Sequence, residues 1–432
     1  MGGAVRDELL GRPAKDQDFV VPGVGYEELR EALASHGRVE DLEVAGRRVG
    51  LRLYPTDRAL RSIAPAGIEF APPRTERSTG PGRHDFEIVA SPEISLEQDM
   101  ARRDFTINAI AKRLETGELL DPFGGQDDLR ARVLRTVSPE SFREDPLRLV
   151  RGLRFVSEHD LDPDEQTLGQ MRESAESVRL VSAERVGGGL SSDGLGELSK
   201  LLLGAHPAKA LRLARDTGVL GALIPEYAPA IGRELSNERQ HLPLDEHHFT
   251  VVQAAAEDGA PLAVRLAALL HDLGKVRADG HEHADAGSEI ARGVLGRLRY
   301  PTRLQRRVAA IVANHDHPVP DTAPLTARRA LATLGDEVAV DVAKHKVADV
   351  QGKRVPDKEV ELMRHWLLAL ESARDQPHRL SDLAIDGREL MTLGLAEGPR
   401  IGEVLATLLE RVVEDPALNT RERLIEEARG LL

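Results

Sequence analysis

The hydrophobic pattern of this chain changes near residue 135 from mixed strands and helices to helices alone. Before that point, short runs rich in β-branched and aromatic residues alternate with helical stretches. The strand-like runs cover residues 18–21, 49–54, 68–71 and 86–90. From residue 139 onward, apolar residues recur at helical spacing, as Leu149, Leu153 and Val156 do. The sequence therefore predicts an α/β region followed by an all-α remainder.

Length and composition limit the class of protein. The 432 residues predict about three domains, because a domain averages roughly 150 residues. No apolar run approaches the roughly 20 residues of a membrane-spanning helix, no secretory signal is recognisable, and the chain has no cysteine. These features predict a cytoplasmic protein that does not insert into membranes. Because the formal net charge is -14, a bound nucleic acid must contact a local basic surface.

Two glycines at the start of the chain precede a predicted helix and an Asp-x-Asp pair. Gly2 and Gly3 allow backbone amides to approach a phosphate at a helix N-terminus, where Arg6 could bind a triphosphate. Asp16 and Asp18 are two residues apart, so on a strand both carboxylates point to one side and suit two magnesium ions. By spacing alone, a solvated strand edge is the better explanation. The glycine turn and Arg6 favour the metal site instead.

Further polar residues follow in the α/β region. A third metal-binding, catalytic acid is expected on a neighbouring strand, where Glu69 is the best candidate and an exposed glutamate is the alternative. Arg103, Asp104 and Asn108 combine charge and amide groups around apolar residues, which suits contacts to a ribose and its phosphates. The same segment also fits the start of an ordinary amphipathic helix.

The segment around Pro146 predicts a helix start that carries charged residues. Asp145, Arg148 and Arg151 lie at i, i+3 and i+6 along one predicted helix face, and Arg154 follows. A carboxylate beside a guanidinium offers hydrogen-bond acceptors and donors, which is enough to read a base edge without a nucleic-acid template. A surface salt bridge worth under about 1 kcal/mol is the alternative.

In this order, the segments resemble the class II tRNA nucleotidyltransferases, the CCA-adding enzymes and bacterial poly(A) polymerases of the polymerase β superfamily. The resemblance covers residues 2 to 226, and the helical remainder also fits. It implies a nucleotidyltransferase head built on a polymerase β-like mixed sheet. It also implies catalytic magnesium ions bound by Asp16 and Asp18.

The same resemblance implies roles for the other polar residues. Gly3 and Arg6 would contact the triphosphate, and Asp104 would lie near the ribose. Asp145 and Arg148 would recognise the base of incoming CTP or ATP. The full predicted nucleotide-binding set is Gly2, Gly3, Arg6, Arg103, Asp104, Asn108, Asp145, Arg148, Arg151 and Arg154.

A second group of metal-ligand side chains follows an apolar helix predicted over residues 262–270. The helix ends at His271-Asp272, with Gly274 placed to terminate it. Further on, His315 and Asp349 share a helix face with apolar neighbours and so turn inward. Imidazoles and carboxylates that converge on a protected interior suit a divalent metal that activates water for phosphoester cleavage. A single inward histidine is more often a core residue with a polar partner.

The order of these residues resembles the HD phosphohydrolase superfamily. The resemblance implies that the metal ligands are His247, His271, Asp272 and Asp349, with His283 and His315 as additions. His248 competes with His247 for the first position, and the identity of the divalent metal stays open. In one branch of the tRNA nucleotidyltransferases, the HD domain is associated with phosphatase and 2′,3′-cyclic phosphodiesterase activities.

The sequence thus predicts an enzyme that adds CCA to tRNA from CTP and ATP, with HD phosphohydrolase activity as an addition. Alternatives are A-adding or CC-adding enzymes, a poly(A) polymerase, or mainly an HD-type metal phosphohydrolase. The predicted domains are a head (1–135), a helical neck for nucleotide recognition (136–230), an HD metal-binding domain (231–360) and a C-terminal helical tail (361–432). Because family members carry a short apolar strand before the two glycines, we expect the natural N-terminus to lie upstream of Met1.

Overall fold

The chain contains two compact units. A computed structural model describes residues 1–13, 18–44, 47–78, 86–188, 194–234, 241–277, 282–353 and 355–431. The first unit comprises Met1–Ala228 with Arg297–Tyr300, and the second comprises Pro229–Gly296 with Pro301–Leu432.

The main strands of the first unit form a mixed sheet and a separate hairpin. Their bounds are β1 (Asp18–Val20), β2 (Gly37–Val44), β3 (Arg47–Pro55), β4 (Ile68–Ala71), β5 (Arg74–Ser78) and β6 (Phe86–Ala90). The sheet order is β1-β4-β3-β2, in which β1 and β4 are parallel and the other neighbours are antiparallel. Strands β5 and β6 form the antiparallel hairpin. Two-residue strand pairs follow at β7 (Ala111–Lys112), β8 (Leu119–Leu120), β9 (Val133–Leu134) and β10 (Asp162–Pro163).

The first unit also contains a series of α-helices. They are α1 (Gly3–Leu9), α2 (Tyr26–Ala34), α3 (Arg58–Ile63), α4 (Leu96–Ala101), α5 (Gly125–Ala131), α6 (Ser141–Glu144), α7 (Leu147–His159), α8 (Glu165–Ser174), α9 (Ala183–Val186), α10 (Glu197–Leu203), α11 (Pro207–Asp216) and α12 (Val219–Leu223). Short 3₁₀ helices lie at Thr106–Asn108, Ala175–Leu180 and Pro225–Ala230, the last of which ends with two residues of the second unit.

The described part of the second unit is helical. Its α-helices are α13 (Leu244–Glu257), α14 (Leu262–Leu270), α15 (Glu282–Arg297), whose last residue belongs to the first unit, α16 (Thr302–Ala313), α17 (Pro324–Leu334), α18 (Asp336–Gly352), α19 (Asp357–Ala373), α20 (Gly387–Thr392), α21 (Pro399–Glu414) and α22 (Arg421–Arg429). Short 3₁₀ helices lie at Leu273–Val276, Leu380–Asp382 and Pro416–Leu418. None of the described helices has the length and apolarity needed to cross a membrane.

Alternating apolar residues of β3 anchor the mixed sheet on α2. Leu51 and Leu53 are two residues apart and so point to one face, where they form a buried cluster with Leu29 and Leu33 of α2. Leu29 and Leu33 share a helix face because they are four residues apart. Since β4 lies between β3 and β1, this core supports the edge strand that carries the predicted metal ligand Asp18.

The predicted fold class, an α/β region followed by helices, is confirmed. The predicted strands at residues 68–71 and 86–90 coincide with β4 and β6, and the predicted helix 262–270 coincides with α14. Strand β2 was not predicted, because its charged residues interrupt the apolar alternation that marks a strand. Its pairing with β3 supplies the structure that the local pattern did not indicate.

Candidate functional site

Helix α1 begins at a crowded glycine. Gly2 has a φ of 75°, in the left-handed region, and a Cβ at this position would lie 2.4 Å from Nη1 of Arg103. Gly3 follows as the first helical residue. Arg6 of the same helix is buried and donates Nη1 to Oδ1 of Asn108 at 2.8 Å. Five of the predicted nucleotide-binding residues therefore lie together around the start of α1.

Strands β1 and β4 place two of the predicted acidic residues side by side. Asp18 and Glu69 are direct partners in the parallel register, so their side chains leave the sheet on the same face. Glu69 also forms an ion pair with Arg52, its partner on β3. Asp16 lies outside the described residues. The described part of the chain thus brings two of the three predicted catalytic carboxylates together at an edge strand.

Asp104 is the centre of a buried set of hydrogen bonds. Its Oδ1 accepts from the Phe105 amide at 2.9 Å and from Asn108 Nδ2 at 3.0 Å, and its Oδ2 accepts from Arg151 Nε at 2.9 Å. Burial opposes ionisation, but the Arg151 guanidinium and the Asn108 amide outweigh it, so the pKa of the Asp104 carboxyl lies below its usual range. The Asp104 carboxylate is therefore ionised, and the residues that surround it hold it in one orientation.

A chain of polar contacts, here called the arginine network, extends from α1 through α7 to α10. Its members are Arg6, Asn108, Asp104, Arg151, Glu197 and Arg154. Glu197 Oε1 accepts from Arg151 Nη1 at 3.3 Å, and Glu197 Oε2 lies 3.2 Å from Arg154 Nη1. The three guanidinium carbons lie between 4.4 and 5.7 Å from the centroid of the Phe155 ring. Acids and an aromatic face together stabilise three closely spaced cations.

Asp145 and Arg148 lie at the beginning of α7, but Asp145 is not on the helix. It has extended backbone dihedrals and precedes Pro146, so the prediction of one helix face from Asp145 to Arg151 was wrong at its first residue. Its Oδ1 instead accepts from the Leu147 amide at 3.0 Å, which satisfies one of the free donors of the helix end. The proline that starts α7 ends the helical pattern before it reaches Asp145.

Arg148 is held by protein groups on several sides. Its Nη1 donates to Ser141 Oγ and to Glu144 Oε2, both at 3.0 Å, and its Nη2 donates to the Arg102 carbonyl oxygen at 2.7 Å. A guanidinium has five N–H donors, so donors remain for a ligand. The side chain is therefore oriented before any ligand binds.

Sequence reasoning missed three residues that support this site. Asp99 is buried and lies 2.9 Å from Arg102 and 3.6 Å from Arg103, Glu197 contacts Arg151 and Arg154, and Arg185 contacts Asp145. Glu197 follows a glycine-rich segment and begins a helix, which is an ordinary place for an exposed acid. Its burial depends on the packing of α10 against α7, and no local pattern encodes that contact.

The second unit brings together all six residues of the predicted metal site, here called the HD cluster. Its members are His247, His271, Asp272, His283, His315 and Asp349. His247 Nε2 lies 3.2 Å from His271 Nε2 and 3.1 Å from Asp349 Oδ1. His283 Nε2 lies 3.1 Å from His315 Nε2. His247, rather than His248, lies in a group close enough to share an ion.

Asp272 joins two groups of potential ligands within the HD cluster. Its Oδ2 faces His271 at 3.4 Å and His247 at 3.8 Å, whereas its Oδ1 faces His315 at 3.3 Å and His283 at 3.4 Å. Each group of three ligand atoms is compact enough for one metal ion. Asp272 could therefore contribute one ligand oxygen to each group.

Glycines bring the two sides of the HD cluster close together. A Cβ at Gly274 would lie 1.9 Å from the His283 carbonyl oxygen, and a Cβ at Gly287 would lie 2.8 Å from the His271 carbonyl oxygen. Gly274 was predicted to end α14, but the chain continues into the 3₁₀ helix Leu273–Val276. The glycine is required for the close approach of α15, which carries His283.

The donor chemistry of the HD cluster fits a divalent metal. Burial lowers the pKa of the His271 imidazole, which favours the neutral form that binds metals. The buried oxygens Asp272 Oδ1 and Asp349 Oδ1 face imidazole nitrogens at 3.1 to 3.4 Å. Imidazole nitrogens that face one another at about hydrogen-bond distance, beside carboxylates, suit a shared cation.

His345 adds a buried imidazole that sequence reasoning did not include in the site. Its ring centroid lies 4.8 Å from that of His271, and neither ring nitrogen has a hydrogen-bond partner among the described residues. It precedes Asp349 by one turn of α18 and so shares its helix face. His345 is therefore a further imidazole that packs against His271.

Comparison with known proteins identifies the family. Residues 1–135 match the Poly A polymerase head domain, residues 160–231 match the probable RNA and SrmB- binding site of polymerase A, and residues 244–348 match the HD domain. Over 332 residues the chain is 37% identical to the multifunctional CCA protein of Ectopseudomonas mendocina (strain ymp), covering 73% of this chain and 74% of that protein. The chain belongs to the multifunctional CCA protein family. The family resemblance predicted from the sequence is thereby confirmed.

Another member of the family and two solved structures also resemble this chain. The multifunctional CCA protein of Neisseria gonorrhoeae (strain NCCP11945) is 34% identical over 393 residues, which are 86% of this chain and 88% of that protein. The crystal structure of the Bacillus stearothermophilus CCA-adding enzyme in complex with CTP has a TM-score of 0.70 at 26% identity, covering 99% of this chain and 91% of that chain. The Thermotoga maritima CCA-adding enzyme complexed with tRNA has a TM-score of 0.59 at 22% identity and supports the fold alone.

Family membership also bears on metal dependence. The nucleotidyltransferase head and the HD domain both imply a requirement for divalent metal ions. The HD cluster supplies histidine and aspartate groups that could bind such ions. In the head, the described carboxylates of Asp18 and Glu69 are adjacent and suit the same class of cation.

Proposed function

We propose that this chain adds CCA to the 3′ end of tRNA from CTP and ATP, with release of pyrophosphate. The observation that carries the proposal is the fixed carboxylate and guanidinium of Asp145 and Arg148 at the start of α7. Cytosine and adenine both present an exocyclic amino group, which can donate a hydrogen bond to an aspartate. Uracil and guanine present a carbonyl oxygen at the equivalent position. One acceptor and one donor set can therefore select C and A without a template.

The remaining nucleotide-binding residues have proposed roles along the same substrate. The Gly3 amide and the Arg6 guanidinium would bind the triphosphate at the start of α1, and Gly2, whose amide donates to the Ile110 carbonyl oxygen at 2.9 Å, would allow the close approach of the backbone. Arg103 lies against Gly2 and would add positive charge there. Asp104, Arg151 and Arg154 would position the ribose and the remaining phosphate oxygens, supported by Glu197.

The catalytic acids are proposed to be Asp16, Asp18 and Glu69, with magnesium as the metal. Magnesium at such a site activates the attacking hydroxyl and stabilises the leaving pyrophosphate. Asp18 and Glu69 contribute adjacent negative charge on one sheet face, while Arg52 holds the Glu69 carboxylate in place. The substrate's terminal hydroxyl then attacks the α-phosphate, and the bond to pyrophosphate breaks.

The proposed domain arrangement follows these roles. Residues 1–135 form the catalytic head, 136–230 the nucleotide-recognition neck, 231–360 the HD metal-binding domain and 361–432 a helical tail. Because its RNA substrate is tRNA, we place the protein in the cytoplasm. The apolar core of the tail, which includes Leu390, Leu408 and Leu424, packs within residues 383–431.

Labelled-nucleotide incorporation tests the proposal. Purified protein, magnesium and a tRNA lacking CCA are incubated with labelled CTP, with labelled ATP, or with both, and products are resolved at single-nucleotide length. Two C residues with CTP alone and a complete CCA with both nucleotides support the proposal. Addition of C alone or A alone on tRNAs that end at each step would indicate a partial enzyme. A long A tail would indicate a poly(A) polymerase, and no incorporation would exclude the transferase.

A phosphohydrolase activity at the HD cluster is the second candidate function. It is favoured by the two ligand groups that share Asp272. A metal at such a site lowers the pKa of bound water and can supply the nucleophile for phosphoester hydrolysis. Hydrolysis of 2′,3′-cyclic AMP and of p-nitrophenyl phosphate is measured with magnesium, manganese or nickel. A double Asp16→Ala, Asp18→Ala protein that keeps this hydrolysis while losing nucleotide addition would assign the two activities to separate sites.

A further inference from the structure

Arg185 contacts the carboxylate that the proposed function assigns to base recognition. Its Nη2 donates to Asp145 Oδ2 at 3.0 Å, and the two side chains are about one-quarter and one-fifth exposed. Asp145 Oδ1 is already occupied by the Leu147 amide. Both oxygens of Asp145 are thus held from different directions, one by its own helix start and the other by α9.

Helix α9 is a firm support for Arg185, although it has only four residues. The Gly187 amide donates to the Ala183 carbonyl oxygen at 2.9 Å, and the Gly188 amide donates to the Leu298 carbonyl oxygen at 3.3 Å. A Cβ at Gly187 would lie 2.5 Å from the Leu298 carbonyl oxygen. The backbone after Arg185 is therefore packed closely against residues 298–300, within the first unit.

We propose that Arg185 is a positioning residue that sets base specificity by fixing the Asp145 carboxylate. This inference rests on the proposed function, because it assigns a role within the same site. Asp145 has two oxygens with two lone pairs each, so it can accept from an amino group while it also accepts from Leu147 and Arg185. Arg185 itself has no contact to a base in this proposal.

The orientation of the Asp145 carboxylate decides which bases it excludes. A base that presents a carbonyl oxygen to Asp145 brings two acceptors together, and this repulsion discriminates only when the carboxylate cannot rotate away. A charge-assisted hydrogen bond from Arg185 restrains that rotation. Without Arg185, the carboxylate is tethered at one oxygen only, and carbonyl-bearing bases should be tolerated better.

Steady-state kinetics with four nucleotides test this inference. The kcat/KM for CTP and UTP is measured on tRNA lacking CCA, and that for ATP and GTP on tRNA ending in CC. For Arg185→Ala, we expect the CTP:UTP and ATP:GTP ratios to fall by about tenfold or more, the size of one charge-assisted hydrogen bond. The loss should lie mainly in a higher KM for CTP and ATP.

Two further variants separate positioning from a structural role. Arg185→Lys keeps a cation within reach of Asp145 and should restore part of the selectivity. Arg179→Ala removes an exposed arginine that pairs with Glu176 in the preceding 3₁₀ helix, and it should keep wild-type ratios. Thermal melting of each variant shows whether the fold is intact.

The possible results are distinct. Unchanged nucleotide ratios in Arg185→Ala overturn the inference, even when the overall rate falls. Tighter binding of CTP by Arg185→Ala also overturns it, because Arg185 would then compete with the base for Asp145. Wild-type protein that incorporates no nucleotide rejects the proposed function itself, whereas active wild-type protein with unselective Arg185→Ala supports both.

Discussion

The arginine network of the first unit and the HD cluster of the second unit both bury ionisable side chains, but they satisfy them differently. In the arginine network, cations alternate with acids or amides, and Phe155 covers three guanidinium groups. In the HD cluster, imidazole nitrogens face one another and also face the buried oxygens Asp272 Oδ1 and Asp349 Oδ1. In the first arrangement protein groups already face each guanidinium, although Arg154 Nε and Glu197 Oε2 make no hydrogen bond among the described residues, and the ordered side chains can orient a ligand. The second has the donor groups that could bind a divalent cation as a shared partner.

This difference predicts how each region responds to substitution and to metal. Removing an acid from the arginine network should lower the free energy of unfolding of the protein. Removing an acid from the HD cluster should instead abolish the stabilisation that an added divalent metal ion gives.

The largest expected effect is on catalysis in the head. Asp18→Asn should lower the rate of nucleotide addition by roughly a thousandfold, because several kcal/mol of transition-state stabilisation by metal ions would be lost. Phosphodiester hydrolysis by the same protein should be unchanged. The exposed Glu28→Gln in the same region is the matched control. An Asp18→Asn protein within tenfold of the wild-type rate would remove this residue from the catalytic site.

The next effect concerns metal binding by the HD cluster. After treatment with a chelator, manganese at about 100 times its Kd should stabilise wild-type protein by about 2.7 kcal/mol. This stabilisation by manganese should disappear in Asp272→Asn, because the shared carboxylate is gone. It should persist in the exposed control Asp375→Asn. Calorimetry with and without metal measures it. A full metal shift in Asp272→Asn would show that the ion binds elsewhere.

A smaller effect is expected where Glu197 balances two arginines. Glu197→Ala removes the acid that Arg151 and Arg154 share, and because their side chains are 31% and 13% exposed, the free energy of unfolding should fall by about 2 kcal/mol. The exposed Glu173→Ala should change it by less than about 0.5 kcal/mol. Urea denaturation followed by circular dichroism compares them. Equal effects would mean that the acid is not needed to balance the network.

The smallest effect isolates the aromatic contribution. Phe155 and Phe142 are similarly buried, but only Phe155 lies under the guanidinium groups of the arginine network. Phe155→Leu should therefore destabilise the protein by about 1 kcal/mol more than Phe142→Leu, the size of a cation–π contribution. The same denaturation experiment measures the difference, and identical losses would reduce Phe155 to an ordinary core residue.

How far the sequence predicted the structure depended on whether the signal was local. The apolar runs of β4 and α14 and the inward face that carries Asp349 are periodic patterns, and each lies where it was expected. Gly274 was interpreted locally as a helix end, but its actual constraint comes from α15. Asp145 was placed on a helix by its spacing, although Pro146 leaves it outside.

The support for the site was less predictable than the site itself. The predicted nucleotide-binding residues formed ordered motifs, whereas Glu197 and Arg185 lie far from them in sequence and meet them only after folding. A buried acid at a helix start and an arginine beside a glycine-rich segment have no periodicity of their own. Their roles follow from tertiary contacts that a single sequence does not encode locally.

The glycine pair around the HD cluster also provides a guide for reading related sequences. Gly274 and Gly287 leave no room for a methyl group between the two backbones that carry His271 and His283. An alanine at either position would push the two chain segments apart and separate ligands that now lie on opposite sides of Asp272. In a relative that keeps every histidine and aspartate but has lost one of these glycines, the HD cluster should no longer assemble, although a motif search would still report it as intact.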